Sequence, residues 1–244
     1  MMTFIIKNLP ILIVITPLMF SLIVAVLSNN RLAWGLSIFA SFLTMIFSIL
    51  LCFEVSNHSS ISYYLGNWPP PLGIEYVIDK VSIIPIIIVS VIGFIATLYA
   101  HNFFILEIDR NLVSKTYSLW LLTIAGLMGL ITTADAFNLF VFLEISSLSA
   151  VALVALGSKM DRKALIAGYN YLILGAVGAT FYVIGVGLLY GVTGTLNMSD
   201  LAQKIPALGL NKSVIVAFTF MMLGIMVKAA VFPLHIWLPN AYAY

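Results

Sequence analysis

Apolar residues along this chain gather into long runs, and polar residues are confined to short punctuation between them. A helix needs about 17–25 mostly apolar residues to cross a bilayer core. Seven stretches qualify: 11–27 with some extension toward the N-terminus, 32–53, 81–100, 117–133, 136–157, 165–190 and 213–232. The connectors read "SNNR", "EVSNHSS", "HNFFILEIDRNLVSK", "TTAD", "SKMDRK" and "GVTGTLNMSDLAQKIPALGLNK". The second continues as "ISYYLGNWPPPLGIEYVI", two β-branched and aromatic runs around a Gly/Pro turn. That pattern predicts a β-hairpin outside the membrane. The expected fold is an all-α integral membrane protein of about seven transmembrane helices with a short extracytoplasmic hairpin. It forms a single membrane domain over residues 1–244.

Composition agrees with the pattern. Of 244 residues, 62% are hydrophobic and 8% charged, whereas a soluble domain carries about 25% charged residues to wet its surface. The net charge of +2, spread over many short connectors, gives no reason to expect a nucleic-acid partner. Cys52 stands alone, which excludes an internal disulfide and a cysteine-based metal or iron–sulfur site. His58, His101 and His235 are too scattered for a bis-histidine haem pair. The first run is long enough to span and no small-x-small cleavage pattern follows it, so an uncleaved first helix is expected.

Basic residues set the expected orientation. Alternate connectors hold Arg31, then Arg110 and Lys115, then Lys159, Arg162 and Lys163; the opposite side holds Lys7, Lys80, Lys204 and Lys212. The denser side is expected in the cytoplasm, which puts the N-terminus outside.

Two charges do not fall in connectors. Glu144 lies nine residues after Asp135 and fifteen before Lys159, which at about 1.5 Å per residue is near mid-membrane. Lys228 lies fifteen residues into the seventh span. A mid-membrane charge costs about 2.5–3.5 kcal/mol on insertion scales, and such groups usually face a bundle interior or an ion pathway. A structural ion pair pinning the fifth span to the seventh is the plainer reading, and Lys228 could also snorkel along its helix. Ser146, Ser147 and Ser149 near the carboxylate suit either hydrogen bonding or helix packing.

Pro233 cannot donate to the carbonyl of Ala229, so a broken seventh helix is expected just after the lysine. Irregular backbone at depth needs protein or water to satisfy it, and transporters place such breaks beside ion sites. His235 is a candidate proton relay, with a packing histidine as the alternative. Trp237 and Pro239 suit an interfacial anchor. On the sixth span Gly168, Gly175, Gly178 and Gly185 share one face, which lets neighbouring helices approach closely. A lysine in a seventh helix also fits a retinal-binding protein with Lys228 as the Schiff base. A structural or assembly subunit without transport activity is a third reading.

Four motifs carry a family resemblance. "DAFNLFVFLEISSL" (135–148), "IGVGLLYGVTGTLNMSDLA" (184–202) and "VKAAVFPLHIWLPNAYAY" (227–244) resemble antiporter-like membrane subunits. Those subunits are shared by multisubunit monovalent cation/proton antiporters and, as the L, M and N members of NADH-quinone oxidoreductase, by respiratory complex I. "GNWPPPLGIEYVIDKVS" (66–82) is most similar to the D-type member of the antiporter assemblies. The resemblance implies that Glu144 and Lys228 are the family's coupled pair, a proton being held on the lysine while the carboxylate is near. An opposite charge a few ångströms away favours the ammonium and desolvation opposes it.

The resemblance implies no chemistry by the chain itself, and no cofactor or metal; any NADH or quinone reaction would belong to partner subunits. The implied partners are other membrane subunits in a bacterial inner membrane. The implied ions are H⁺, exchanging in some members with Na⁺ or K⁺. Family members are built from two inverted repeats. On that expectation this sequence supplies an N-terminal half, with an incomplete first repeat from residue 114 onward; a split gene product, a truncated frame and a fragment that assembles with a separate C-terminal half are the open readings.

Overall fold

The computed structural model describes residues 6–157, 161–209 and 211–243. Nine helices and one hairpin follow in order among them: α1 Leu9–Val26, α2 Asn30–Asn57, β1 Ser60–Tyr64, β2 Glu75–Asp79, α3 Ile83–Glu107, α4 Val113–Thr132, α5 Ala136–Leu156, α6 Lys163–Thr193, α7 Met198–Ala207, α8 Lys212–Lys228 and α9 Trp237–Ala243. Helices α1 to α6 are each long and apolar enough to cross a membrane. The seventh expected span, 213–232, is shorter than predicted: α8 has 17 residues and stops at Lys228. The amphipathic α7 lies inside what the sequence reads as a connector.

Helix starts follow local capping chemistry, in which a short polar side chain accepts from an otherwise unpaired backbone N–H. Asn29 caps α2, Asp135 caps α5, Asn197 caps α7 and Asn211 caps α8. Helix α6 ends at Gly194, whose φ of +68° closes the helix in the left-handed conformation that glycine adopts without strain.

Several polar residues inside the spans face protein. On α2 the hydroxyls of Ser37, Ser41, Thr44 and Ser48 are buried and donate back to carbonyls one turn earlier. Each hydroxyl is satisfied within its own helix and leaves a slim face for packing. Between helices, Ser118 of α4 donates to the Ser21 carbonyl of α1, and the Ser114 hydroxyl donates to that of Val24. Trp34 of α2 and Trp120 of α4 both donate to Thr97 of α3, to its carbonyl and hydroxyl respectively.

The hairpin forms where expected, antiparallel from Ser60 opposite Asp79 to Tyr64 opposite Glu75. It is extended by the two connectors beside it. Tyr76 bridges to Thr133, and Asp135 bridges to Asn197; Ala134 donates to the Glu75 carbonyl, and Met198 to that of Ala134. Tyr63 also donates to Asn8, ahead of α1. The chain's N-terminal end, the hairpin, the α4–α5 connector and the α6–α7 connector therefore share one end of the bundle. At the opposite end the Asn30 side chain donates to the Arg110 carbonyl. Connectors thus alternate sides as the pattern predicts, although Lys159 of the basic loop lies outside the described residues.

Candidate functional site

The site is assembled by α5, α6 and α8. Glu144 sits eight residues into α5 and twelve from its end, so no polar terminus is near. Helix α8 approaches across α6, the pair with the most extensive packing in the fold. That approach depends on small residues. A Cβ on Gly185 would lie 2.6 Å from the Ala217 carbonyl oxygen, and one on Gly224 would lie 2.5 Å from that of Gly178. Neither gap admits a side chain, so the glycine face foreseen on the sixth span is what brings Lys228 to its partner.

Lys228 Nζ donates to Glu144 Oε1 at 2.9 Å and to Ser147 Oγ at 2.6 Å. The lysine side chain is 11% exposed and the glutamate 24%. Ser147, one turn beyond Glu144, donates its own hydrogen to the Leu143 carbonyl at 2.7 Å, which leaves its oxygen lone pairs for the ammonium. From α6, a Cβ at Gly175 would meet only Lys228 Nζ, at 3.7 Å. The ammonium therefore lies between a carboxylate, a hydroxyl and a bare stretch of backbone. Thr123 of α4 reaches Ser149 at 2.8 Å, and Ser146 bonds within α5, so those two serines serve packing.

Lys228 is also the last residue of α8, and the helix end itself favours a cation there. Its closure is a Schellman motif: Val231 donates to the Met226 carbonyl at 3.0 Å and Ala230 to that of Val227 at 3.2 Å, with Ala230 at φ +51°. This changes the expected origin of the break. The helix ends five residues before Pro233, so that proline removes no helical hydrogen bond. It occupies a tight turn closed by Leu234 onto the Val231 carbonyl at 2.7 Å, and the chain turns helical again at Trp237.

His235 lies in that interruption. Its Nδ1 is buried without a hydrogen-bond partner, and its ring centroid is 5.5 Å from that of Phe232. No hydrogen bond joins it to Glu144 or Lys228 among the described residues. Trp237 is not the interfacial anchor the sequence suggests. It is 7% exposed, donates Nε1–H to the Val227 carbonyl at 2.9 Å, and stacks on Tyr171 of α6 with centroids 4.2 Å apart and planes 9° apart. Its position in a C-terminal W-x-P stretch gives no sign of that inward turn.

A second polar cluster ties the hairpin to the bundle. Asn197 donates to Glu75 Oε2 at 2.8 Å, and both side chains are buried. Beside them Asp135 accepts from the Asn138 backbone at 2.7 Å while Asn138 Nδ2 donates to Thr133. Burial pushes the Asp135 carboxyl above its usual range against the lowering pull of its backbone donors, and pushes the Tyr76 phenol up to about 12. Among the described residues no group of three or more His, Cys, Asp or Glu could hold a metal ion.

Comparison with known proteins gives a family match. Residues 133–244 match the transmembrane family described as NADH:quinone oxidoreductase/Mrp antiporter. The chain is 42% identical over 240 residues to NADH-quinone oxidoreductase subunit N of Desulforudis audaxviator, covering 97% of this chain and 47% of the relative. It is 33% identical over 239 residues to the putative antiporter subunit mnhD2 of Staphylococcus aureus, with the same coverage. Among solved structures, a chain of the membrane-bound sulfane sulfur reductase, an archaeal respiratory membrane complex, superposes with a TM-score of 0.85 at 33% identity, covering 96% of this chain and 47% of that one. The chain spans about half the length of the curated relatives it matches.

Proposed function

We propose, from that family match, that this chain is a subunit of a multisubunit proton-translocating assembly. That assembly is a monovalent cation/proton antiporter or a complex I-like respiratory complex, and Glu144 and Lys228 hold and release the transported proton. The observation that carries the reading is the ammonium of Lys228 held 2.9 Å from the Glu144 carboxylate between long apolar helices. An ion pair at that depth is costly to bury, and its two states of charge are coupled. A carboxylate nearby favours the ammonium; a carboxylate that is protonated or displaced weakens that hold and frees a proton. Proton movement needs no cofactor in such a scheme, and redox chemistry would fall to partner subunits.

His235 is the proposed relay beyond the lysine. Its Nδ1, buried without a hydrogen-bond partner among the described residues, supports that reading. The proposed partners are other membrane subunits, with H⁺ as the carried ion and Na⁺ or K⁺ as the exchanged one. The proposed location is the bacterial inner membrane with the N-terminus outside. A Schiff-base role for Lys228 is not supported, since both partners of its ammonium are protein groups and the relatives are subunits of oxidoreductase and antiporter assemblies.

The test is transport by the complete assembly in sealed vesicles, read with a pH-sensitive dye. Lys228→Ala and Glu144→Ala should each abolish proton movement while the complex still assembles. Undiminished transport by either variant would reduce the pair to a structural ion bridge.

A further inference from the structure

We infer that Trp237 is a positioning residue that holds Lys228 against Glu144, by latching the broken end of α8 onto α6. The inference rests on the transport reading above for its importance, but not for its geometry. The last turn of α8 closes through a strained residue. Ala230 sits at φ +51°, a left-handed conformation that L-residues adopt at a cost. The hydrogen bond from Ala230 to the Val227 carbonyl is long, at 3.2 Å. That same carbonyl accepts the Trp237 indole N–H at 2.9 Å from ten residues further along, across the interruption.

The indole is itself fixed. It stacks on Tyr171, and Tyr171 lies one helical turn before Gly175, the position that faces the ammonium. Val227 packs against α6 directly, its Cβ 3.0 Å from where a Cβ of Gly178 would stand. Tyr171, Gly175 and Gly178 on α6 and Val227 and Lys228 on α8 thus form one closed contact with Trp237 as its outer tie. Removing the indole donor leaves the Val227 carbonyl only the backbone donors of the cap, Ala229 and the strained Ala230, and the lysine one residue on is free to drift from its carboxylate.

Reductive methylation tests this, because it modifies the neutral amine and spares the ammonium. In the complete complex at one fixed alkaline pH, mass spectrometry would follow Lys228 relative to the exposed Lys115 in wild type, Trp237→Phe and Glu144→Gln. Phenylalanine keeps the stack and loses the donor. The expected result is several-fold faster Lys228 methylation in Trp237→Phe, approaching that of Glu144→Gln, with transport reduced roughly tenfold or more. Wild-type methylation per assembled molecule in Trp237→Phe, whatever its yield, would overturn the latch and leave a merely structural tryptophan. Should that variant fail to assemble, Tyr171→Leu, which keeps the donor and removes its support, must raise Lys228 methylation or the inference fails. Transport persisting in Lys228→Ala would remove the transport reading and leave the latch to be decided by methylation alone.

Discussion

At the scale of single residues, the structure shows which polar groups meet a lysine within an apolar bundle. Its ammonium has a carboxylate and a hydroxyl as acceptors, and its helix ends there, so the partial negative charge of the α8 terminus adds to both. Ser147 contributes direction more than charge. Ser147→Ala should leave assembly intact and reduce transport less than Glu144→Ala does, in the same vesicle assay. Ala230 offers an independent check of the helix end. Ala230→Gly replaces a strained left-handed alanine with the residue that takes φ +51° freely, and should stabilise the purified protein by about 1 kcal/mol. A higher thermal midpoint in detergent would show it; a lowered midpoint would argue against the left-handed cap. Asp135 gives a pH dependence. Its carboxyl is raised by burial, so the folded state favours the protonated form. Stability is then lost as pH rises through the ordinary carboxylate range toward the folded value. Asp135→Asn keeps a capping side chain and removes the buried charge. It should stabilise the protein at neutral pH, with the gain fading in acid, as thermal unfolding at several pH values would reveal.

At the scale of elements, α6 and α8 form the arm that carries the lysine, and the hairpin with its two connectors forms the clamp at the other end of the site's helices. The arm relies on close backbone approach. Gly185→Leu should separate α8 from α6 and take Lys228 out of reach of Glu144, with loss of both stability and transport, because the Ala217 carbonyl oxygen and the Met221 backbone nitrogen, 2.6 and 2.9 Å from a Cβ there, cannot yield to the new side chain. The clamp relies on a buried polar pair. Asn197→Ala would leave the Glu75 carboxylate buried without its donor, a loss of about 1–3 kcal/mol that a thermal melt would register. It should not touch Lys228 methylation, which separates clamp from arm. These elements were unevenly legible in the sequence. The hairpin was readable from its β-branched and aromatic runs around a Gly/Pro turn, and α5 from its apolar run. Helix α7 was not, since ten amphipathic residues inside a polar connector carry little periodic signal beside the flanking apolar runs.

At the scale of the whole molecule, the alternation of connectors between two ends gives a topology, and the positive-inside bias gives it a direction. In the complete complex with Cys52→Ser, Ser60→Cys in the hairpin should react with a membrane-impermeant maleimide added outside intact cells, and Arg110→Cys should react only after permeabilisation. The reverse pattern would invert the proposed orientation. The relatives are about twice as long as this chain, so transport by the assembly is a property to be tested with every subunit present.

The sequence by itself determined the membrane class, the approximate spans, the hairpin and the two displaced charges. These depend on composition and local periodicity, which lipid enforces by leaving no water for an unpaired backbone. The tertiary structure alone decided that Glu144 meets Lys228 across 84 residues of chain, and that Ser147 rather than Ser146 or Ser149 joins them. It also decided that a left-handed alanine ends α8 before Pro233 is reached, and that Trp237 turns inward instead of anchoring at the interface. Each of those depends on how closely two helix backbones approach and which way a terminal turn closes. Distance between remote helices is set by packing in three dimensions, and no run of neighbouring residues records it.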